Sequence, residues 1–197
     1  MITKKVTYLS DEGFEFMFEP IEDTLKIIKT KTGFSARYLI QDQDYELPDK
    51  DDDEVFLVNY HRDFFVTRDS IITKDEVANW YKGEKISQQK DYHIFILSSY
   101  IHSGVSLSLG YNKGDSYTFW DTSHIGVVLI SKKLAKTKEK ATKFAQSLID
   151  TYNQGLSGDV YCLVKETYNK DKEQIDYDTL GGCYDYQEAL KCLETEI

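Results

Sequence analysis

The sequence predicts an α+β fold: a mostly antiparallel sheet with one long helix and two shorter helices, plus an N-terminal β-rich lobe. Three observations predict it. Short β-branched and aromatic runs dominate the chain up to residue 131. The apolar period then changes from two to 3.6 over one long stretch. Finally, the elements come as a β-unit, a helix, strands, a helix, a hairpin and a helix, with no internal repeat.

Val6–Leu9, Phe14–Phe18, Leu25–Ile28, Phe34–Ile40 and Val55–Tyr60 have the composition of strands. The run Gln41–Glu54, reading QDQDYELPDKDDDE, has little to bury and is expected to be a solvated connection. Residues 1–58 therefore read as an acidic β-lobe and residues 59–197 as the main α+β domain. Thr73 and Glu76 form a capping box, with Ile72 and Val77 placed as a hydrophobic staple, so a helix is expected over Lys74–Lys82 with Gly83 as its stop. Tyr92–Ile101 is a strand that can be buried on both faces; Val105–Leu109 and His124–Ser131 are two more. Leu134, Ala141, Phe144, Ala145, Leu148, Ile149 and Tyr152 give one face of a helix over Lys133–Asn153, with Gly155 as its stop. Asp159–Glu166 and Ile175–Cys183 flank the polar turn Asn169–Glu173 as a hairpin. Asp185 and Glu188 open the closing helix.

The chain has 197 residues with 34 acidic and 24 basic side chains, a formal net charge of -10. Residues 1–58 carry 14 acidic and 7 basic groups, so most of the excess lies there. This balance disfavours direct nucleic-acid binding, because phosphates are repelled. No apolar run approaches a membrane span and no secretory leader is legible, so a cytoplasmic protein with no membrane contact is expected. Cys162, Cys183 and Cys192 have neither disulfide-framework nor zinc-site spacing, and no cofactor is called for.

Five clusters place ionisable or glycine residues at strand ends: Tyr60–Asp63, His102–Gly104, Trp120–Gly126, Gly158–Tyr161 and Gly181–Tyr184. His61, His102, Asp121 and Cys183 are the right types for a nucleophile, a base and an orienting carboxylate. No nucleophile elbow is present, and glycine turns with core Trp120 account for the same pattern. With His124 these residues also have metal-ligand chemistry, although the spacing does not demand an ion. Gly110–Gly114 lacks the Gly-Lys-Ser/Thr of a phosphate loop. Lys132, Lys133, Lys136, Lys138, Lys140 and Lys143 are expected as a solvated basic face at the start of the long helix.

The ordered motifs resemble a family of bacteriophage and mobile-element proteins whose segments read roughly HRRYNLGD, YDHSGI, WDSGQVG, YDQYLTGDVYG and CWGF. Here they stand as His61-Arg62-Asp63-Phe64, Tyr100-Ile101-His102-Ser103-Gly104-Val105, Trp120-Asp121-Thr122-Ser123-His124-Ile125-Gly126, Tyr152–Tyr161 and Cys183-Tyr184. The resemblance covers about residues 55–190 and brings no activity with it. His124 replaces the usual Gln, and Tyr184-Asp185 replaces Trp-Gly. The acidic lobe lies outside it.

Carboxylates at alternate strand positions repeat every 6.6–7 Å or so, close to the phosphate spacing of a nucleic-acid strand. With aromatic anchors they suit the basic channel of a nucleic-acid-binding protein. The expected function is thus that of a phage or mobile-element accessory protein that binds a host protein and inhibits a defence nuclease, such as a CRISPR effector or a restriction enzyme. The expected contacts are Asp42, Asp44, Asp51, Asp52, Asp53 and Glu54, with Tyr45 as anchor. The alternative is a small hydrolase with His61, His102, Asp121 and Cys183 in one pocket.

Overall fold

The computed structural model describes all residues except 1, 2, 22, 47, 50, 51, 62–70, 102, 103, 111–121, 196 and 197. The strands, in chain order, are β1 (Val6–Leu9), β2 (Glu15–Phe18), β3 (Lys26–Thr30), β4 (Gly33–Gln41), β5 (Val55–Asn59), β6 (Tyr92–Ile101), β7 (Val105–Leu109), β8 (Thr122–Ser131), β9 (Val160–Asn169) and β10 (Gln174–Tyr184). The helices are α1 (Lys74–Tyr81), α2 (Lys138–Ser157) and α3 (Tyr186–Thr195). Among the described residues all the strand pairings are antiparallel, so the α+β class holds.

The chain divides into two compact units, one made of Met1–Glu46 with Gly158–Ile197 and the other of Leu47–Ser157. This partition differs from a boundary at residue 58. β4 pairs along its whole length with β9, from Gly33↔Asn169 to Gln41↔Tyr161, whereas β5 joins β8. Strand pairing across 120 or so residues leaves no local signal, so the lobe looked contiguous.

In the first unit the sheet order is β10-β9-β4-β3, and β1 and β2 form a separate hairpin. Phe16 and Phe18 of that hairpin pack on Phe34, Tyr38 and Val164; the Phe34 ring lies 4.7 Å from Phe16 and is stacked 5.3 Å from Tyr168. On the opposite face Leu39, Tyr161 and Leu163 meet Ala189 and Leu193 of α3. Asp185 begins α3 by accepting from Gln187 N–H at 2.7 Å and Glu188 N–H at 3.2 Å. Arg37 of β4 is 6 % exposed, and its Nε and Nη1 have no hydrogen-bond partner. Lys26 and Lys165 stand beside it in register on the two neighbouring strands.

In the second unit the order is β5-β8-β6-β7. One face packs Val55, Leu57, Leu97, Val128 and Ile130 against Ala141, Ala145, Leu148, Ile149 and Tyr152 of α2. The other packs Phe56, Val58, Val127 and Leu129 against Ile72 and Val77, with Trp80 at the rim. Helical cover on both faces explains why β6 and β8 are apolar without alternation. Thr73 and Glu76 form the expected capping box of α1.

The long helix differs from its expected span at both ends. Ala135 N–H donates to Ser131 O, and Lys140 N–H donates to Thr137 Oγ1, so a turn ends at residue 135 and the helix is capped by Thr137. Lys132, Lys133 and Lys136 therefore precede the helix, and only Lys138, Lys140 and Lys143 belong to it. Gly155 is buried inside the helix, and the stop is Gly158 at φ +74°.

Candidate functional site

Pairing along β5, β8 and β6 gathers polar residues at one end of the second sheet. Asn59 is opposite Gly126, Ser98 opposite His124, and Ser99 opposite Ser123. Asn59 Oδ1 accepts the His61 N–H at 2.7 Å, so the chain turns at once after β5. Ser98, fully buried, donates its hydroxyl proton to Gly110 O at 2.6 Å, while His124 Nδ1 lies 2.9 Å from the same oxygen. A hydroxyl has one proton, so Nδ1 is the donor to Ser98. A nucleophile needs the reverse arrangement, with the imidazole taking the serine proton. Tyr81 donates to Gly126 O, and its ring lies 6.0 Å from the His124 ring.

Of the four residues expected to form a catalytic pocket, His61 lies beside this cluster in sequence, while His102 and Asp121 fall outside the described residues. Their neighbours bracket the same sheet end, because Tyr100 pairs with Thr122. Cys183 belongs to the other unit. Burial, followed by the influence of Cys192, pushes its thiol up to about 11. A thiol so raised is the opposite of an activated nucleophile. Burial and then the Asp42 charge raise Cys162 as well.

Several motif residues have architectural work. A Cβ on Gly126 would lie 1.9 Å from Val58 O, so β5 can approach β8 only where this side chain is missing. In Gly158–Tyr161 the glycine takes the left-handed turn and the Tyr161 hydroxyl donates to Asp159 at 2.6 Å. Gly182, at φ +69°, donates its N–H to Asp42 at 2.8 Å.

The acidic run is not a uniform solvated loop. Asp42 accepts from Gly182 and from Asp44 N–H at 3.0 Å. Asp49 is 1 % exposed, accepts from Leu57 N–H at 2.8 Å and also receives the Tyr152 hydroxyl. Asp52 accepts from Glu54 N–H at 2.7 Å and Val55 N–H at 3.1 Å. Tyr45 is half-buried, edge-on to Tyr184 at 6.0 Å. Asp44 and Asp53 are exposed, Glu54 is partly so, and Asp51 lies outside the described residues. Asp42, Asp44 and Tyr45 fall in the first unit and Asp52, Asp53 and Glu54 in the second, so the run belongs to two bodies.

Folding also redraws the charge. The first unit contains 19 acidic and 10 basic residues, a net of -9; the second contains 15 and 14, a net of -1. Within the first unit an acidic groove of 760 Å³ is lined by Glu19, Asp42, Asp44, Cys162, Tyr177 and Thr179, among others. β10 runs beside it, with Gln174–Gly182 exposed throughout. Asp176, Tyr177, Asp178 and Thr179 were not among the expected contacts. Their signal was present as acids at alternate positions of the second hairpin strand.

Among the described residues no group of three or more His, Cys, Asp or Glu side chains is placed to hold a metal ion. No family model, curated protein or solved structure matches the chain.

Proposed function

We propose that this protein acts by binding a basic partner protein through the acidic unit formed by residues 1–46 and 158–197. The observation that carries this reading is the concentration of charge, with -9 of the net -10 in that unit. A surface of this kind speeds encounter with a basic groove and rejects acidic competitors. A basic groove large enough to meet it is the hallmark of a nucleic-acid-binding protein. Together with the resemblance to phage and mobile-element proteins, this favours a host defence nuclease in the bacterial cytoplasm as the partner. Among the described residues no helix is long and apolar enough to cross a membrane. The hydrolase reading gains no support from the Ser98–His124 pair, whose proton runs the wrong way, or from Cys183, whose thiol is held protonated.

The test is capture from a host lysate by the tagged protein at about 0.05 and 0.5 M salt, beside a variant carrying Asp44→Asn, Asp176→Asn and Asp178→Asn. A nucleic-acid-binding protein held at low salt, released at high salt and lost by the variant is the expected result. Its nuclease activity should fall when the wild-type protein is added. A captured partner indifferent to both salt and the three substitutions would overturn the reading.

A further inference from the structure

The edge of the first unit's sheet combines features that the charge alone does not explain. β10 has β9 as its neighbouring strand, and its other edge has no strand partner among the described residues. Register irregularities lie between Gln174 and Asp176 and between Leu180 and Cys183, which leaves Asp176–Leu180 as a regular stretch. Its residues are exposed on both faces, including Tyr177 at 59 % and Leu180 at 43 %. Pairing assigns the faces. Tyr177 and Thr179 stand opposite Glu166 and Val164, on the hairpin side of the sheet where the acidic groove lies. Asp178 and Leu180 stand opposite Lys165 and Leu163, on the α3 side, and Asp176 reaches Lys165 at 3.6 Å.

We propose that the free edge of β10 accepts an extended, Lys- or Arg-bearing segment of the partner as an added strand, with alternate side chains entering the groove. The proposal rests on the acidic-partner reading above and names its mode. An added strand lies about 4.8 Å from β10 and sends successive side chains to opposite faces. One set then meets Glu19, Asp42 and Asp44, and the other meets Asp176 and Asp178. The same charges choose the occupant. A second copy of β10 would set acids against acids, whereas a basic strand would neutralise them. Acids on an edge are a known guard against self-association, and here that guard becomes a selectivity filter.

The experiment uses the full-length protein and a fluorescent peptide of about eight residues alternating Lys and Val. Two further peptides carry N-methyl groups on the odd or on the even amides, which block one hydrogen-bonding edge each. The parent peptide is expected to bind, with one methylated series matching it and the other weakened about tenfold or more. Asp176→Lys with Asp178→Lys, checked for native circular dichroism, should weaken the parent by about tenfold. Equal binding of both methylated series to that of the parent would overturn strand addition while leaving the acidic-partner reading intact. Failure of the parent peptide to bind, with a basic partner still captured from lysate, overturns it equally. Failure of both peptide and partner would remove both readings.

Discussion

Asp49 and Asp44 sit five residues apart in one acidic run and have opposite fates. Asp49 is buried and accepts from a backbone N–H and from the Tyr152 hydroxyl, so Asp49→Ala removes a buried acceptor shared by two donors. A loss of about 2–4 kcal/mol is expected in chemical denaturation, against less than about 0.5 kcal/mol for Asp44→Asn. Arg37 makes the converse case. Its buried guanidinium has two unpaired nitrogens and cationic neighbours in register, and burial lowers its pKa. Arg37→Met should raise stability by about 1–2 kcal/mol, and a lowered denaturation midpoint would contradict this account. For Cys183 the folded protein holds the thiol above its ordinary value, so the neutral form is favoured. Its contribution to stability is intact below the unfolded thiol's pKa and is lost as pH rises toward about 11. Alkylation followed by peptide mass spectrometry should show a midpoint near 11, well above that of a free cysteine. At this scale the sequence was least informative. Nothing local separates Asp49 from its acidic neighbours, because Tyr152 is 103 residues away.

Elements were far more legible, since their signals are local. The capping box at Thr73, the turn Asn169–Glu173 and the apolar run of β6 each predict an element that the structure contains. The long helix departs from its apolar periodicity at both ends for one reason. Periodicity counts apolar residues, whereas caps decide boundaries, and Thr137 and Gly158 are weaker marks than Leu134 and Gly155. Gly158 is accordingly the more sensitive glycine. Gly158→Ala forces a side chain into the left-handed region and places its Cβ 2.3 Å from Gln41 Nε2, so a destabilisation above about 1 kcal/mol is expected by thermal or chemical melting. Gly126→Ala should cost more, because the obstacle is the backbone of β5. The candidate site divides in the same way. Its histidine and glycine clusters were visible as motifs, and several of those residues turn out to build strand ends. The alternating acids of β10 are visible in the sequence, but that they lie on a free edge is not, since being an edge is a property of the sheet.

At the scale of the molecule, charge was legible as a total and its partition was not. The boundary at residue 58 gave a lobe of -7, while folding assembles residues 1–46 with 158–197 into a unit of -9. The chain leaves and re-enters that unit side by side. Asp42 N–H donates to Val160 O at 2.9 Å, and the Gln41 side chain donates to Gly158 O at 2.8 Å. This clamp has a consequence for synthesis. β4 emerges from the ribosome with the edge that pairs with β9 open, and that edge must wait for β9, more than 100 residues later. At roughly 5–20 residues per second the delay is on the order of 6–27 s. The second unit, Leu47–Ser157, is contiguous and has all its strand partners by then. A stalled chain ending near residue 157 should therefore be protease-resistant over the second unit and cleaved readily within the first 46 residues. The acidic turns of the waiting segment then act as its own solubility tag, keeping a half-built sheet dispersed until its partner strand arrives.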